Sequence, residues 1–313
     1  MSSPPVSVVI PAYNAAAFIE QTLDSVREQD FRDYELVVVD DGSQDDTHAI
    51  VSRYLARHAL TGRCVRQENR GIAGARNVGM RESRGTYVAL LDHDDLWYPS
   101  KLRVVMEVLH RDPACDLVCH NEHIVRAGTI VRTSRNGPLV SRMYERLLFQ
   151  GNALSPSATV FRREVALALG GFREAKQFDT AEDYDFWMRF SRVGRLVFVD
   201  QVLGAYQLVE RRASRKIHYH YSNMEHVVRD HFATSFGTRA RLWDRIRLAR
   251  RLATLYRAAA GELMGYDESP EIQRTYIRRM MGTFPVDPKN LARAGQWLFR
   301  QFFPRTSTTA RAA

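Results

Sequence analysis

Two hydrophobic patterns alternate along the first hundred residues. The runs VSVVIP (6–11), ELVVV (35–39) and TYVALL (86–91) are almost wholly apolar and rich in β-branched residues, as in strands buried on both faces. Between them, residues 15–29 carry Phe18, Ile19, Leu23 and Val26 at helical spacing, and 47–60 and 73–83 repeat the helical period, with a weaker strand over 63–67. Strands alternating with helices imply right-handed βαβ units and a mostly parallel, Rossmann-like sheet.

Further on, the pattern predicts a helix over 101–109, a strand over 116–125 and a loop followed by a strand over 151–161. A helix over 182–193 sets Tyr184, Trp187, Met188 and Ser191 on one face, and a strand follows over 195–202. Beyond Arg239 the chain is helical and basic. We expect an α/β fold with helices flanking the sheet and a basic helical extension at the end. Residues 1–215 would form the main domain, divided near residue 100, and 216–313 the extension.

Bulk composition narrows the class. The 45% hydrophobic and 26% charged content is that of an ordinary globular protein. No run approaches the roughly 18 apolar residues of a membrane helix, and the amino terminus lacks the basic region of a signal peptide. Three cysteines cannot all pair within one chain, which with the missing signal suggests a reducing, cytoplasmic setting. From Phe236 onward fifteen Arg/Lys face six Asp/Glu, so the tail holds the whole formal charge of +9 while the first 235 residues are neutral. A basic tail on a neutral body implies an anionic partner for the tail alone. With no recognised nucleic-acid motif, a nucleic acid is not the expected one.

Open parallel sheets bind ligands in the crevice at the carboxyl ends of their strands. Three strands here run into polar clusters: Pro11-Ala12-Tyr13-Asn14, Asp40-Asp41-Gly42-Ser43 and Asp92-His93-Asp94-Asp95. The last could simply cap the next helix. Three carboxylates within four residues, however, repel one another unless a cation sits among them. Hard oxygen donors suit Mg²⁺ or Mn²⁺, with Asp94 and Asp95 the expected ligands and Asp92 facing a ribose or holding the turn. Asp-Gly-Ser is common turn chemistry, yet a carboxylate on the second strand of that crevice can accept a hydrogen bond from a base or a ribose. In Gly71-Ile72-Ala73-Gly74-Ala75-Arg76, the glycines allow close backbone approach, and Arg76 could pair with a diphosphate or be an ordinary surface arginine.

Together VSVVIPAYNAAAFIEQTLDSV, VVVDDGSQDDT, NRGIAGARNVG and LLDHDDLW resemble the successive motifs of the family-2 glycosyltransferases of the GT-A fold. Gly170-Gly171-Phe172 and the later EDYDFW (182–187) resemble that family's downstream signature, so the likeness runs over about residues 5–210. It implies an inverting transfer of a sugar from a UDP- or dTDP-sugar to the hydroxyl of a glycan or lipid-linked acceptor. By the same resemblance Pro11, Tyr13 and Asp41 hold the nucleoside, Arg76 lies near base or phosphates, and Asp94 and Asp95 match the metal- and ribose-binding Asp-x-Asp element. Asp183 matches the catalytic base, with Glu182 a supporting or acceptor-contacting group. A Glu-Asp pair opening a helix also complements the macrodipole with no further role. Gln207 stands where the family usually has Arg, and Arg211, Arg212, Ser214 and His218 or His220 are candidates for a lid over the diphosphate. The alternatives are a catalytically silent nucleotide-binding scaffold and a nucleotidyltransferase, although the latter's Gly-rich loop after the first strand is missing.

Two other features offer chemistry outside that crevice. Cys115, Cys119, His120 and His123 provide soft metal ligands, but strand alternation sends Cys119 and His120 to opposite faces. In the tail, Leu242, Ile246, Ala249, Ala253 and Tyr256 form a stripe among seven arginines over 239–257, and 297–305 interleaves aromatics with arginine. Such a pattern fits a helix lying on an anionic membrane at the inner face of a cell. It fits equally a bundle packed on the catalytic domain with its arginines solvated.

Overall fold

The protein is described by a computed structural model covering residues 4–138, 141–208, 217–265 and 270–302. In chain order the first part runs β1 (Val6–Ala12), α1 (Ile19–Arg27), β2 (Tyr34–Asp40), α2 (Thr47–Arg57), β3 (Gly62–Arg66), α3 (Gly71–Glu82) and β4 (Tyr87–Leu90). Then come β5 (Leu96–Trp97), α4 (Lys101–Arg111), β6 (Leu117–Arg126), β7 (Thr129–Ser134) and α5 (Met143–Gln150). After these stand β8 (Thr159–Arg162), α6 (Arg163–Ala168), α7 (Glu182–Phe190) and β9 (Leu196–Gln207). The end is helical: α8 (Ile217–Ser235), α9 (Leu242–Gly265), α10 (Pro270–Thr283) and α11 (Pro288–Phe302).

The strands form one sheet in the order β3-β2-β1-β4-β8-β6-β9-β5, with β7 paired to β6. β3, β2, β1 and β4 are mutually parallel, which sends the ends of β1, β2 and β4 to the same edge. In β1 and β2 every residue is buried, because helices cover both faces, and this is why the sequence shows continuous apolar runs there. The second half is mixed: β8 is antiparallel to β4 and β6, whereas β6 and β9 are parallel. One core joins Val8, Ile10, Leu23, Leu36, Val38, Ala89, Leu102 and Val160.

Several elements depart from the sequence expectation. β7 is an exposed strand with Ile130 and Val131 facing solvent, turned back from β6 through Ala127 and Gly128, both at positive φ (47° and 76°). β5 has two residues, too few to show a period. α7 is buried nearly all round, including Tyr184, Asp185, Phe186, Trp187 and Phe190, instead of along one stripe.

The chain separates into two compact units, residues 1–147 with 151–213, and residues 148–150 with 214–313. The first holds the sheet. The second contains α8 to α11, in which α9 packs with α8, α10 and α11. No helix among the described residues is long and apolar enough to cross a membrane.

Candidate active site

The three polar clusters meet at the sheet edge. Asp41 N–H donates to Ala12 O at 2.8 Å, Asn14 N–H to Ser43 Oγ at 3.0 Å, and His93 Nδ1 lies 3.1 Å from Pro11 O. These bonds lace the ends of β1, β2 and β4 into one rim. On it Tyr13 is 42% exposed. Asp41 is buried, and its Oδ1 accepts from Gln67 Nε2 (2.6 Å) and Arg70 N–H (2.9 Å), while no described residue donates to Oδ2. An accessible aromatic face beside a carboxylate oxygen with open valence is suited to a nucleoside.

Arg76, expected near base or phosphates, lies on α3 behind the acidic corner. It is buried within α3, with Nη2 donating to Asp92 Oδ1 at 2.8 Å and Nη1 to Glu182 Oε1 at 2.6 Å. Burial works against its charge, but the two carboxylates outweigh burial and hold the guanidinium cationic. Its one planar fork thereby couples the acidic corner after β4 to the start of α7. Both Nη groups end on carboxylates, while Nε is buried with no hydrogen-bond partner among the described residues. The floor beneath it is Phe172, whose ring lies 5.4 Å from the guanidinium and stacks on Phe186 at 4.2 Å. Gly171 makes that floor possible: it is at φ +71°, and a Cβ there would lie 2.3 Å from Asn77 Oδ1, the atom that accepts the Phe172 N–H.

The acidic corner divides its labour. Asp92 is partly exposed and bound to Arg76. Asp94 is half-buried. Asp95, the second expected cation ligand, is 1% exposed, with Oδ2 accepting from Ser157 Oγ (2.7 Å) and Oδ1 from Gln207 N–H (3.0 Å). It clamps the end of β9 to the corner, and Gln207 serves through its backbone where the family's Arg would stand. Ser157 also accepts the Asp92 N–H at 3.1 Å.

Glu182 and Asp183 open α7, where the helix N-terminus favours negative charge. Burial, then the neighbouring Asp183 and Asp92, push the Glu182 carboxyl up against the pull of Arg76. Asp183 is less buried; Asn152 Nδ2 donates to its Oδ2 at 3.0 Å and Tyr184 N–H to its Oδ1 at 2.7 Å. The polar loop over 151–157 supplies one partner here, and Glu122, which the sequence reading did not single out, adjoins it. Asn152 touches Asp183, and Glu122 of β6 is hydrogen-bonded to Ser155 and Asn136. Burial pushes Glu122 up to about 7, with Asp92 raising it further and Lys101 opposing. Lys101 lies 3.2 Å over the Trp97 ring, and its burial drives the ammonium pKa well down.

Among the described residues no three His, Cys, Asp or Glu are grouped to hold a metal ion. The donor set at the corner, partly exposed Asp92 and half-buried Asp94, nonetheless fits a hard cation that takes one or two carboxylates and completes its shell from substrate phosphates and water. The soft-ligand cluster is not assembled: Cys119 Sγ donates to Asn136 O and Cys115 Sγ to Leu117 O, both on the backbone. His218 lies on α8 beside the Tyr276 hydroxyl (3.1 Å), in the helical unit. Of the other lid candidates, His220 is on α8, while Arg211, Arg212 and Ser214 fall outside the described residues.

The architecture is that of the doubly wound α/β class, with its polar residues gathered where parallel strands end. Residues 7–170 match the glycosyl transferase family 2 model, and the chain belongs to that family. The chondroitin synthase of Escherichia coli is 33% identical over 208 residues, 64% of this chain and 28% of that protein. An uncharacterized glycosyltransferase of Nostoc sp. is 34% identical over 166 residues, 51% of each chain. The match thus spans less than two thirds of these curated relatives. Two solved structures share the GT-A fold. S. aureus TarS 1-349 in complex with UDP-GlcNAc has a TM-score of 0.60 at 19% identity, covering 95% of this chain and 91% of that one. The mannosyltransferase PcManGT from Pyrobaculum calidifontis, in complex with GDP-Man and Mn2+, has a TM-score of 0.57 at 22% identity, covering 97% and 89%.

Proposed function

We propose that this protein is an inverting glycosyltransferase that moves a sugar from a UDP- or dTDP-sugar to a hydroxyl of a glycan or lipid-linked acceptor, in the synthesis of a cell-surface polysaccharide or glycolipid. The observation that carries this reading is the Asp92–Arg76–Glu182 bridge, which ties the acidic corner to the helix start that bears Asp183. Solved relatives of the same fold bound to UDP-GlcNAc and to GDP-Man with Mn2+ support a nucleotide-sugar donor.

Tyr13 stacks on the base, Pro11 shapes the rim, and Asp41 accepts from base or ribose through Oδ2. A pyrimidine suits that socket. Asp94, with Asp92, would hold Mn²⁺ or Mg²⁺, which when bound neutralises the charge of the departing diphosphate. Asp183 takes the acceptor proton on the face opposite the diphosphate. As the acceptor oxygen bonds to the anomeric carbon, the bond to the diphosphate breaks, so configuration inverts with no covalent enzyme intermediate. Glu182 neutralises Arg76 and orients the start of α7. Peripheral attachment at the inner face of a cell membrane would bring such an enzyme to a lipid-linked acceptor.

A screen of nucleotide-sugars with Mn²⁺ or Mg²⁺, scored by release of nucleoside diphosphate, tests the proposal. One donor should be consumed and EDTA should stop it. Failure of every donor to release nucleoside diphosphate, or release indifferent to EDTA, would refute respectively the donor and the metal assignments.

A further inference from the structure

A helix on a protein surface ordinarily buries its apolar stripe and shows its polar face to water. α11 also turns an apolar face outward. Facing its neighbours are Asn290, whose Nδ2 donates to Phe284 O, Arg293, packed against Gly261, and Arg300, whose Nη1 donates to Met264 O at 2.6 Å. Facing solvent are Leu291 (54% exposed), Leu298 (51%) and Phe299 (61%), with Ala292 and Gly295 exposed between them. At 100° per residue these five positions share one arc that contains no charged side chain. Beside that arc, between α9 and α11, lies a cavity of about 550 Å³ lined by Gly261, Met264, Arg293, Phe299 and Arg300. Two guanidinium groups thus stand at the edge of an exposed apolar strip.

We propose that α11 is a docking helix for an anionic bilayer, its Leu291–Leu298–Phe299 arc sinking among acyl chains while Arg293 and Arg300 take lipid phosphates at the cavity mouth. Charge selects this occupant. The surplus of nine basic groups from Phe236 onward attracts an acidic surface and repels a second copy of the same tail. A bilayer also needs no matching shape, unlike a folded partner. The docking does not depend on what the sheet unit transfers.

Flotation of the whole protein with vesicles tests it. It should float with phosphatidylcholine mixed with phosphatidylglycerol, remain in solution with phosphatidylcholine alone, and be released by salt. Leu298→Glu/Phe299→Glu alters only exposed positions and should weaken partitioning by at least about tenfold, with circular dichroism and donor-sugar turnover on a soluble acceptor unchanged. Undiminished flotation of the double variant would overturn the proposal. So would equal binding to both vesicle types, release by inorganic phosphate at matched ionic strength but not by chloride, or a dimer in solution that the substitutions break. Absence of turnover in the parent protein, with its flotation on acidic vesicles intact, would count against the transfer reading alone.

Discussion

Replacing Arg76 by Met keeps the side chain's bulk and removes its charge, leaving Glu182, 4% exposed, beside Asp92 and Asp183 with no cation between them. Breaking one side of a buried ion pair costs ~3–5 kcal/mol, and here one guanidinium serves two carboxylates. The loss must depend on pH. The Glu182 carboxyl already lies above its ordinary value in the folded protein. Its contribution to stability is therefore fully present below the unfolded pKa and lost as pH rises through the folded one. Without Arg76 to oppose burial the folded value climbs further, so Arg76→Met should be most destabilising above neutral pH and least so near pH 5. Urea unfolding followed by tryptophan fluorescence at both pH values measures this, since Trp97 and Trp187 are buried in the affected unit. Adding Glu182→Gln should recover much of the loss at high pH. A variant within ~1 kcal/mol of the parent at high pH, or equally destabilised at both, would refute the idea that Arg76 neutralises this pair.

Ser157→Ala removes the hydroxyl shared by Asp95 Oδ2 and the Asp92 N–H; a loss of ~1–3 kcal/mol is expected from the buried groups left unpaired. Turnover should fall more than donor affinity, read from kcat against KM. Glu122 is raised to about 7 by burial, so it stabilises the fold below its unfolded pKa and ceases to do so as pH rises through 7. Glu122→Gln should accordingly flatten the fall in thermal midpoint between pH 5 and pH 8, and an unchanged pH profile would contradict that origin.

How much of this was legible from residues alone depends on which contacts are local. β1, β2 and β4 announced themselves because nearly every side chain in them is buried, whereas β7 carries Ile130 and Val131 into solvent and gives no in-and-out pattern. The convergence of the three polar clusters came from parallel topology, and hydrogen bonds between Asp41 and Ala12 and between Asn14 and Ser43 express it. The partners of Arg76 were hidden, since Glu182 is 106 positions away and only the docking of α7 onto α3 brings them together. Nor can three carboxylates in four residues reveal which one turns inward. Asp95 does so because Ser157 and Gln207, 62 and 112 positions on, supply its donors. In the tail the arginines suggested a solvated polar face, but in α11 two of them pack inward while Leu291, Leu298 and Phe299 face out.

The most direct test of the proposed chemistry is a pair of measurements on Asp183→Asn, donor binding by calorimetry in the presence of Mn²⁺ and sugar transfer to acceptor. Asparagine can keep the hydrogen bond to Asn152 yet cannot take a proton, so binding should stay within about threefold of the parent while transfer falls by ~10²-fold or more. Transfer that survives the substitution, with binding intact, would remove Asp183 as the base.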